Sequence, residues 1–422
     1  MELYAQALTF AIPGFLVLML IEYGFSLILK KEIGTELDTI SSLSSGMTNT
    51  LKSLVGLSVV ILGYGWMVAH LNIGWLSFEQ EWPWYLLAWI GIDFASYWTH
   101  RWNHSINLFW NRHIIHHSSE EYNLACALRQ EVSAIVGIYF FLGIPMALLG
   151  VPAEVVAITA PIHLFAQFWY HTKLIDKMGI LEYILMTPSH HRVHHAINPE
   201  YIDKNFSAIF IFWDKWFGTF QEELPNVEIV YGTLKPANTW NPIWINYQHA
   251  WQLAKDAWRA NSWWDKLRIW FMPTGWRPED VATKYPIKLQ PISRAKYQTQ
   301  GTRGFKSWAW VQLAINNGLL FYMLTQFGQG QMDSQSVLIY AFFMLCSIMA
   351  YTSLMDRSRV AVPLEVAKFG VLTWILIQYD GWFGLNEFLP FGNQLVLAYG
   401  ILSLAVALYF TFGEAQQRDL AT

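Results

Sequence analysis

The chain of 422 residues is 54% hydrophobic and 17% aromatic but only 14% charged, with a mean hydropathy of +0.25. Soluble proteins carry about a quarter charged residues, so this composition places the chain in a bilayer and excludes a disordered segment or a coiled coil. A formal net charge of −4 excludes a nucleic-acid partner, and two cysteines, Cys126 and Cys346, exclude a disulfide framework or an internal iron–sulfur cluster.

A membrane span needs about 20 mostly apolar residues. The first expected span covers residues 5–29 and reads as an uncleaved anchor, since no basic segment precedes it and Lys30 and Lys31 follow it. Further spans are expected at 51–71, 83–98, 132–150, 151–170, 308–327, 336–354, 363–378 and 393–412. The fourth and fifth have almost nothing polar between them, so a re-entrant hairpin is an alternative to two crossings. The expected fold is all-α: a polytopic membrane bundle of about nine spans with a helical, histidine-bearing cap on the cytoplasmic side. Three regions follow: spans at 1–99, a histidine-rich body at 100–307, and a four-span bundle at 308–422. Between residues 240 and 276 the chain is polar but dotted with Trp240, Trp244, Trp251, Trp258, Trp263, Trp264 and Trp270. With Lys255, Arg259, Lys266 and Arg268 beside them, this section reads as helices lying on the membrane surface. Residues 274–303 read as a linker.

Charge sets the orientation. With the N-terminus outside, the outer loops near 72–82, 326–335 and 379–391 contain no Lys or Arg. The inner segments hold Lys30, Lys31, Lys52, Arg101, Arg112, Arg129, Arg357 and Arg359, and residues 171–306 hold 17 more basic residues. The C-terminus, with Arg418 and Asp419, is expected inside. The membrane is the inner one for a bacterial chain and the endoplasmic reticulum for a eukaryotic one.

Of 13 histidines, 11 fall between His100 and His195. They are also spaced. His100 and His104 stand in HRWNH; His113, His116 and His117 in HIIHH; His191, His194 and His195 in HRVHH; His171 follows Gln167 by four residues. Residues i, i+3 and i+4 share a helix face, so each H-x2-H-H box is expected to aim its imidazoles at one point. Neutral imidazole binds iron, zinc, copper and nickel. Nine spaced rings exceed one cation's needs twofold, so the count asks for two metal ions side by side. His70 and His249 read as ordinary hydrogen-bonded or surface residues. Ligand histidines donate their other N–H to a carboxylate or carbonyl; the supporting candidates are Asp93, His163, Gln167, His190 and Asp203, with Glu120, Glu121, Glu131 and Asp214 equally able to be surface charges. Asp93 lies inside a span, where an ionisable residue is functional by default.

These boxes resemble the fatty acid hydroxylase superfamily, which includes sterol desaturases and lipid hydroxylases. The resemblance covers about residues 82–222. It is carried by DFASYWTHRWNH (93–104), NRHIIHHSSEEYN (111–123), ALRQ (127–130), QFWYHT (167–172) and TPSHHRVHHAINPEYIDKNF (187–206), and continues into FWDKWFGTF (212–220). Within it, HRVHH…IDKN and WDKWFGTF, the Trp-rich section and the four later spans look most like the alkylglycerol monooxygenases. The resemblance implies a membrane diiron enzyme that uses O2 and tetrahydrobiopterin. It implies hydroxylation of the ether-linked carbon of a glycerol ether lipid and collapse to a fatty aldehyde. It assigns metal ligation to His100, His104, His113, His116, His117, His191, His194 and His195, and a further ligand to His171. Many superfamily members carry His where this chain has Gln167.

The chain has no G-x-G-x-x-G fingerprint, haem-attachment C-x-x-C-H or Cys cluster, so electrons must come from a diffusible pterin or a donor protein. The boxes alone leave open a fatty acid, sterol or carotenoid hydroxylase or desaturase, and iron or zinc as the metal. A His-liganded metal transporter is a remoter alternative; it predicts ionisable residues along a path through several spans, whereas here the histidines sit at the inner ends.

Overall fold

The computed structural model describes residues 2–57 and 59–414. The expectation resting on Arg418 and Asp419 lies outside them. Among the described residues the chain is all-helical, apart from a two-residue parallel ladder that pairs β1 (Val59–Val60) with β2 (Val136–Gly137).

The N-terminal region holds α1 (Glu2–Leu29), α2 (Glu36–Leu54), α3 (Tyr64–Leu71) and α4 (Trp82–Ser105). The middle holds α5 (Asn107–His117), α6 (Ile144–Leu148), α7 (Ala153–Phe165), α8 (Pro188–His194), α9 (Phe212–Phe217), α10 (Pro242–Arg259), α11 (Trp263–Arg268) and α12 (Glu279–Lys284). The C-terminal region holds α13 (Arg303–Gly328), α14 (Ser334–Met355), α15 (Ala361–Gln378), α16 (Leu385–Phe388) and α17 (Gly392–Leu408).

Among the described residues four helices are long and apolar enough to cross a membrane: α1, α14, α15 and α17 with its continuation to Gly413. They coincide with expected spans. Two more expected spans fall on α4 and α13, which have 24 and 26 residues. These helices are more polar, since α4 carries Asp93, His100, Arg101 and His104, and α13 carries Gln312, Asn316 and Asn317.

The other three expected spans are not single helices. Residues 51–71 break after Leu54, where Gly56 takes a left-handed φ of +64° and α3 provides only 8 residues. Residues 132–150 contain a 3-10 turn over Phe140–Gly143 and the 5-residue α6. Residues 151–170 hold α7, whose 13 residues reach about 20 Å against the roughly 30 Å of a hydrocarbon core. Apolar runs of this kind do not report the glycines and prolines that divide them. At the α6–α7 corner Gly150 takes φ +79°, and a Cβ there would lie 2.7 Å from the Asn72 side chain.

The largest apolar core joins the two ends of the chain. Ala5 of α1 and Leu37, Ile40, Met47 and Leu51 of α2 pack with Leu320, Met323, Tyr340, Met344, Leu372 and Tyr399 of the C-terminal helices. The serines of α2 (Ser41, Ser42, Ser44, Ser45) are buried and allow close approach; Ser44 Oγ and Tyr351 Oη lie 2.5 Å apart. A separate cluster joins α4 to α6 and α7 through Ala88, Met146, Val151 and Val155.

A buried polar network ties the C-terminal helices together. Lys368 Nζ is 2.6 Å from Glu365 Oε2 and donates to Ser403 Oγ at 2.7 Å. Ser403 also accepts from Gln312 Nε2, and Tyr399 Oη donates to Gln312 Oε1. Removing one partner of a buried ion pair strands the other charge. Lys368→Met is therefore expected to cost about 3–5 kcal/mol, while Lys368→Met combined with Glu365→Leu recovers most of it. Thermal unfolding in detergent checks this ordering.

Candidate metal centre

Four short stretches of chain bring the nine expected rings together. The C-terminal end of α4 carries His100 and His104. The chain turns at extended Ile106, and α5 carries His113, His116 and His117. His171 follows α7 in a loop. Helix α8 starts on Thr187, whose side chain accepts the N–H of His190, with Pro188 in its first turn; it presents His191 and His194, with His195 at its C-cap.

The ring nitrogens form two groups, each with its ligand atoms within 4.8 Å of one another. One contains His100, His104, His113, His117 and His194; the other contains His116, His171, His191 and His195. The groups touch, since the ring centroids of His117 and His195 are 4.4 Å apart. Each H-x2-H-H box therefore divides between two points, which corrects the expectation that a box converges on one. The reason is helical geometry at about 100° per residue. His113 and His117, and His191 and His195, are i, i+4 pairs and stay together, whereas His116 and His194 are rotated into the other group.

Within the four-ring group, His171 Nε2 lies 3.3 Å from His116 Nε2 and 2.9 Å from His191 Nε2, and His191 Nε2 lies 3.1 Å from His195 Nε2. In the five-ring group, His117 Nε2 lies 3.1 Å from both His104 Nε2 and His194 Nε2. Nitrogens bound at about 2.1 Å to one cation stand roughly 3.0–3.4 Å apart in octahedral or tetrahedral arrangements. The Nε2 atoms of His100 and His113 are buried without a hydrogen-bond partner. An all-imidazole donor set at these separations fits two cations, one in each group.

Backbone carbonyls determine which nitrogen faces inward. His100 Nδ1 is 2.8 Å from the Phe206 carbonyl, His194 Nδ1 is 2.9 Å from that of Lys204, and His171 Nδ1 is 3.1 Å from that of Gln167. A carbonyl only accepts, so Nδ1 carries the proton and Nε2 offers its lone pair. Residues 203–206 thus serve three rings of the five-ring group, because Asp203 Oδ1 also lies 3.4 Å from His104 Nδ1. This turn holds Asp203 and Asn205 at left-handed φ, +56° each. Asn205 Nδ2 donates to the carbonyls of His190 and Gln221, and its Oδ1 accepts the Gln221 N–H. Buried Asp214 accepts the N–H groups of Phe206 and Ser207 at 2.8 Å. Spacing could not reveal the carbonyls, because every residue has one, nor the role of Asn205, because its partners His190 and Gln221 are more than ten residues away.

The other supporting candidates lie farther from the rings. Asp93 accepts from His163 Nε2, the N–H groups of Ile209 and Phe210, and Trp213 Nε1. Two turns before His100, it anchors the segment that follows the supporting turn and bonds none of the nine rings. The Gln167 side chain donates to His163 Nδ1, so only its carbonyl serves His171. His190 Nδ1 lies 3.3 Å from the Leu185 carbonyl and its ring packs on Phe220, outside both groups. Glu120 and Glu121 pair with Arg294 and with Lys173 and Lys296. Arg129, buried against Asp38, Ser42 and Ser118, links α2 to the end of α5 and was not singled out by spacing.

Burial, and then the neighbouring rings, push His113, His116, His117, His191, His194 and His195 well below the ordinary 6.5. Burial alone lowers His171 to about 4. The folded rings stay neutral while those of the unfolded chain protonate near 6.5, so acid favours unfolding. Metal-free protein is expected to hold its stability above about pH 6.5 and to lose it as the pH falls towards 4, which thermal unfolding across that range would measure.

Residues 85–219 match the family model described as fatty acid hydroxylase. The chain is 34% identical to alkylglycerol monooxygenase of Homo sapiens over 361 residues, 85% of this chain and 80% of that protein. It is 39% identical to alkylglycerol monooxygenase of Danio rerio over 384 residues, 90% of this chain and 83% of that one. With the enzyme of the same name from Xenopus tropicalis it shares 37% over 256 residues, 61% and 56% of the two chains. No solved structure matches it. The matches to the human and fish proteins run well beyond the histidine segment into the flanking helices, so the chain belongs to the fatty acid hydroxylase family, with alkylglycerol monooxygenases among its relatives over most of its length.

Proposed function

We propose that this chain is a membrane di-metal monooxygenase that hydroxylates the ether-linked carbon of alkylglycerols. One observation carries the reading: nine imidazoles in two touching groups, in a chain that aligns with alkylglycerol monooxygenases over most of its length and theirs. One oxygen atom of O2 enters the C–H bond. The other leaves as water, taking two electrons and two protons from an external donor. The product carbon is a hemiacetal, which collapses to a fatty aldehyde and the free glycerol derivative.

His100, His104, His113, His117 and His194 would hold one cation, and His116, His171, His191 and His195 the other. A bound iron pair would supply the activation of O2; zinc suits the same nitrogens. The protein contributes positioning and exclusion of water. The carbonyls of Phe206, Lys204 and Gln167 keep the Nε2 lone pairs of their rings turned inward. Aromatic walls dry the site: Trp110 and Phe206 pack on His104, and Tyr122 on His195, at centroid distances of 5.0, 5.2 and 5.3 Å. Tetrahydrobiopterin is the reductant in this reading, a diffusible donor suited to a chain without a nucleotide or haem motif.

We read α1, α4, α13, α14, α15 and α17 as the membrane-embedded set, with α6 and α7 entering the bilayer without crossing. Gln6 Nε2 donates to the Gly328 carbonyl, so the start of α1 meets the end of α13. At the opposite face Asp356, after α14, accepts from Trp240 N and Tyr297 Oη of the histidine-bearing body. Lys30, Lys31, Arg357 and Arg359 share that face, which supports an outside N-terminus and a cytoplasmic metal centre.

The decisive assay combines purified protein, ferrous iron, O2 and an alkylglycerol, with and without tetrahydrobiopterin, and measures fatty aldehyde by mass spectrometry. Aldehyde is expected only with the pterin. Hydroxylated sterol or free fatty acid supported by a ferredoxin or cytochrome, with no ether cleavage, would move the protein to the other hydroxylases. His194→Ala is expected to reduce turnover to background and lower bound metal from two ions per chain, with membrane insertion intact. Wild-type turnover in that variant would remove the ligand assignment.

A further inference from the structure

Helix α10 has two faces, and only one is covered. Ile245, Asn246, Leu253 and Asp256 point inward and are buried. This face lies on the histidine-bearing helix α5, where the Ala250 N–H donates to Asn111 Oδ1 at 2.8 Å. Along the other face Trp244, Tyr247, Trp251 and Trp258 recur at spacings of three, four and seven, and all are exposed. The stripe is about 21 Å long. It continues into α11 and the turn after it: Trp258 is 85% exposed, Trp263 78%, Trp264 65% and Phe271 67%. No neighbouring element among the described residues covers these rings, and a patch of this kind marks an interaction surface.

We propose that this aromatic face is sunk into the headgroup layer of an anionic lipid leaflet, with α10 lying between the lipid and α5. Three features select a leaflet as the occupant. The rings are mostly Trp, which suits the boundary between water and acyl chain. Lys255, Arg259 and Lys266 are interleaved with them as a surplus of positive charge, since Arg268 is paired with Asp265 and Asp256 is buried and paired with Arg277. The surface is also continuous with a membrane-embedded helix. The turn after α11 is bonded to the corner where α4 meets α5: the Thr274 N–H donates to the carbonyl of Ser105 at the end of α4, the N–H groups of Asn107 and Leu108 at the start of α5 donate to the carbonyls of Met272 and Trp270, and Asn107 Nδ2 donates to those of Ile269 and Trp276.

That clamp gives the surface a role in the reaction. Asn107 sits at the corner between His104 and His113, so the depth of the Trp face sets the depth of both helices that carry those rings. Along the α4 axis His100 and His104 lie within about 9 Å of the Ile106 corner. The rings are thereby held near the level where a glycerol ether oxygen meets its alkyl chain. This last step rests on the proposed ether-cleaving reaction; the lipid contact does not.

The test uses the full chain in vesicles, with spin labels at Trp258→Cys or Trp264→Cys in a Cys346→Ala background; Cys126 is buried. Both sites are exposed, so the core is untouched. The expected result is greater relaxation by O2 than by a water-soluble nickel chelate, more strongly in phosphatidylserine-containing vesicles than in phosphatidylcholine alone. Lys255→Glu with Arg259→Glu is expected to abolish that lipid preference. Chelate access exceeding O2 access at both labels would overturn the proposal. So would dipolar broadening between labels on two chains, which would assign the face to a second copy. The depth is read without substrate or turnover. Labels in lipid without ether cleavage would sink the reading of the reaction alone, and labels in water on an ether-cleaving enzyme would sink this proposal alone.

Discussion

The structure depends on an imidazole having two unlike nitrogens. When Nδ1–H is committed to a backbone carbonyl, the Nε2 lone pair has a fixed direction, and several such lone pairs then face one another at about 3 Å inside a buried site. Lone pairs do not attract, so the arrangement persists only because the surrounding chain enforces it or because a cation lies between them. The enforcement comes from unexpected places: a short turn in left-handed backbone, an asparagine that bonds to two separate segments of chain, and a carboxylate in α9 that accepts from two consecutive N–H groups. Asp93 does the same farther from the rings, tying α4 to the segment just after the turn.

The second constraint is the division of the boxes. Helices α5 and α8 each contribute to both ring groups. The two groups therefore cannot move independently, because any shift of either helix displaces rings in both. The placement of α10 over α5 and the buried Arg129–Asp38 pair at the end of α5 both restrict such shifts.

Much of this was legible in the residues. The spacing of the nine histidines named every member of the two groups, because i, i+3 and i+4 neighbours are a local property of a helix. The apolar runs at residues 5–29, 336–354, 363–378 and 393–412 were legible because each is long and mostly apolar, and the helices continue through Pro13 and through the Glu365–Lys368 pair. What spacing could not express was partition, since a one-residue offset around a helix decides which group a ring joins and the position of the partner helix decides whether that matters. Carbonyl partners were invisible, because every residue has one. The runs at 51–71 and 132–170 do not form full-length helices, because Gly56, Pro145, Gly150 and Pro152, which hydropathy averages over, interrupt or bound them; for 132–170 the short α6 and α7 fit the re-entrant alternative that the sequence left open. Asp93 stood out as an ionisable residue in an apolar run, but the N–H groups of Ile209 and Phe210 that it faces are a long-range pairing that no local pattern encodes.

The packing of α2 against the last helices reaches the metal centre through Arg129. The stretch shared with the family model, residues 85–219, is about a third of the chain, yet part of what holds it lies outside those bounds. Its supports, Asp38 and Ser42, lie on a helix whose remaining surface is shared with α13 and α14. A truncated chain lacking those partners would bare one greasy flank of α2 while asking the other to keep Arg129 in register. The histidine-bearing stretch and the two ends of the chain thus share one scaffold, and the grip on Arg129 is only as firm as the packing of helices that lie far from it in sequence.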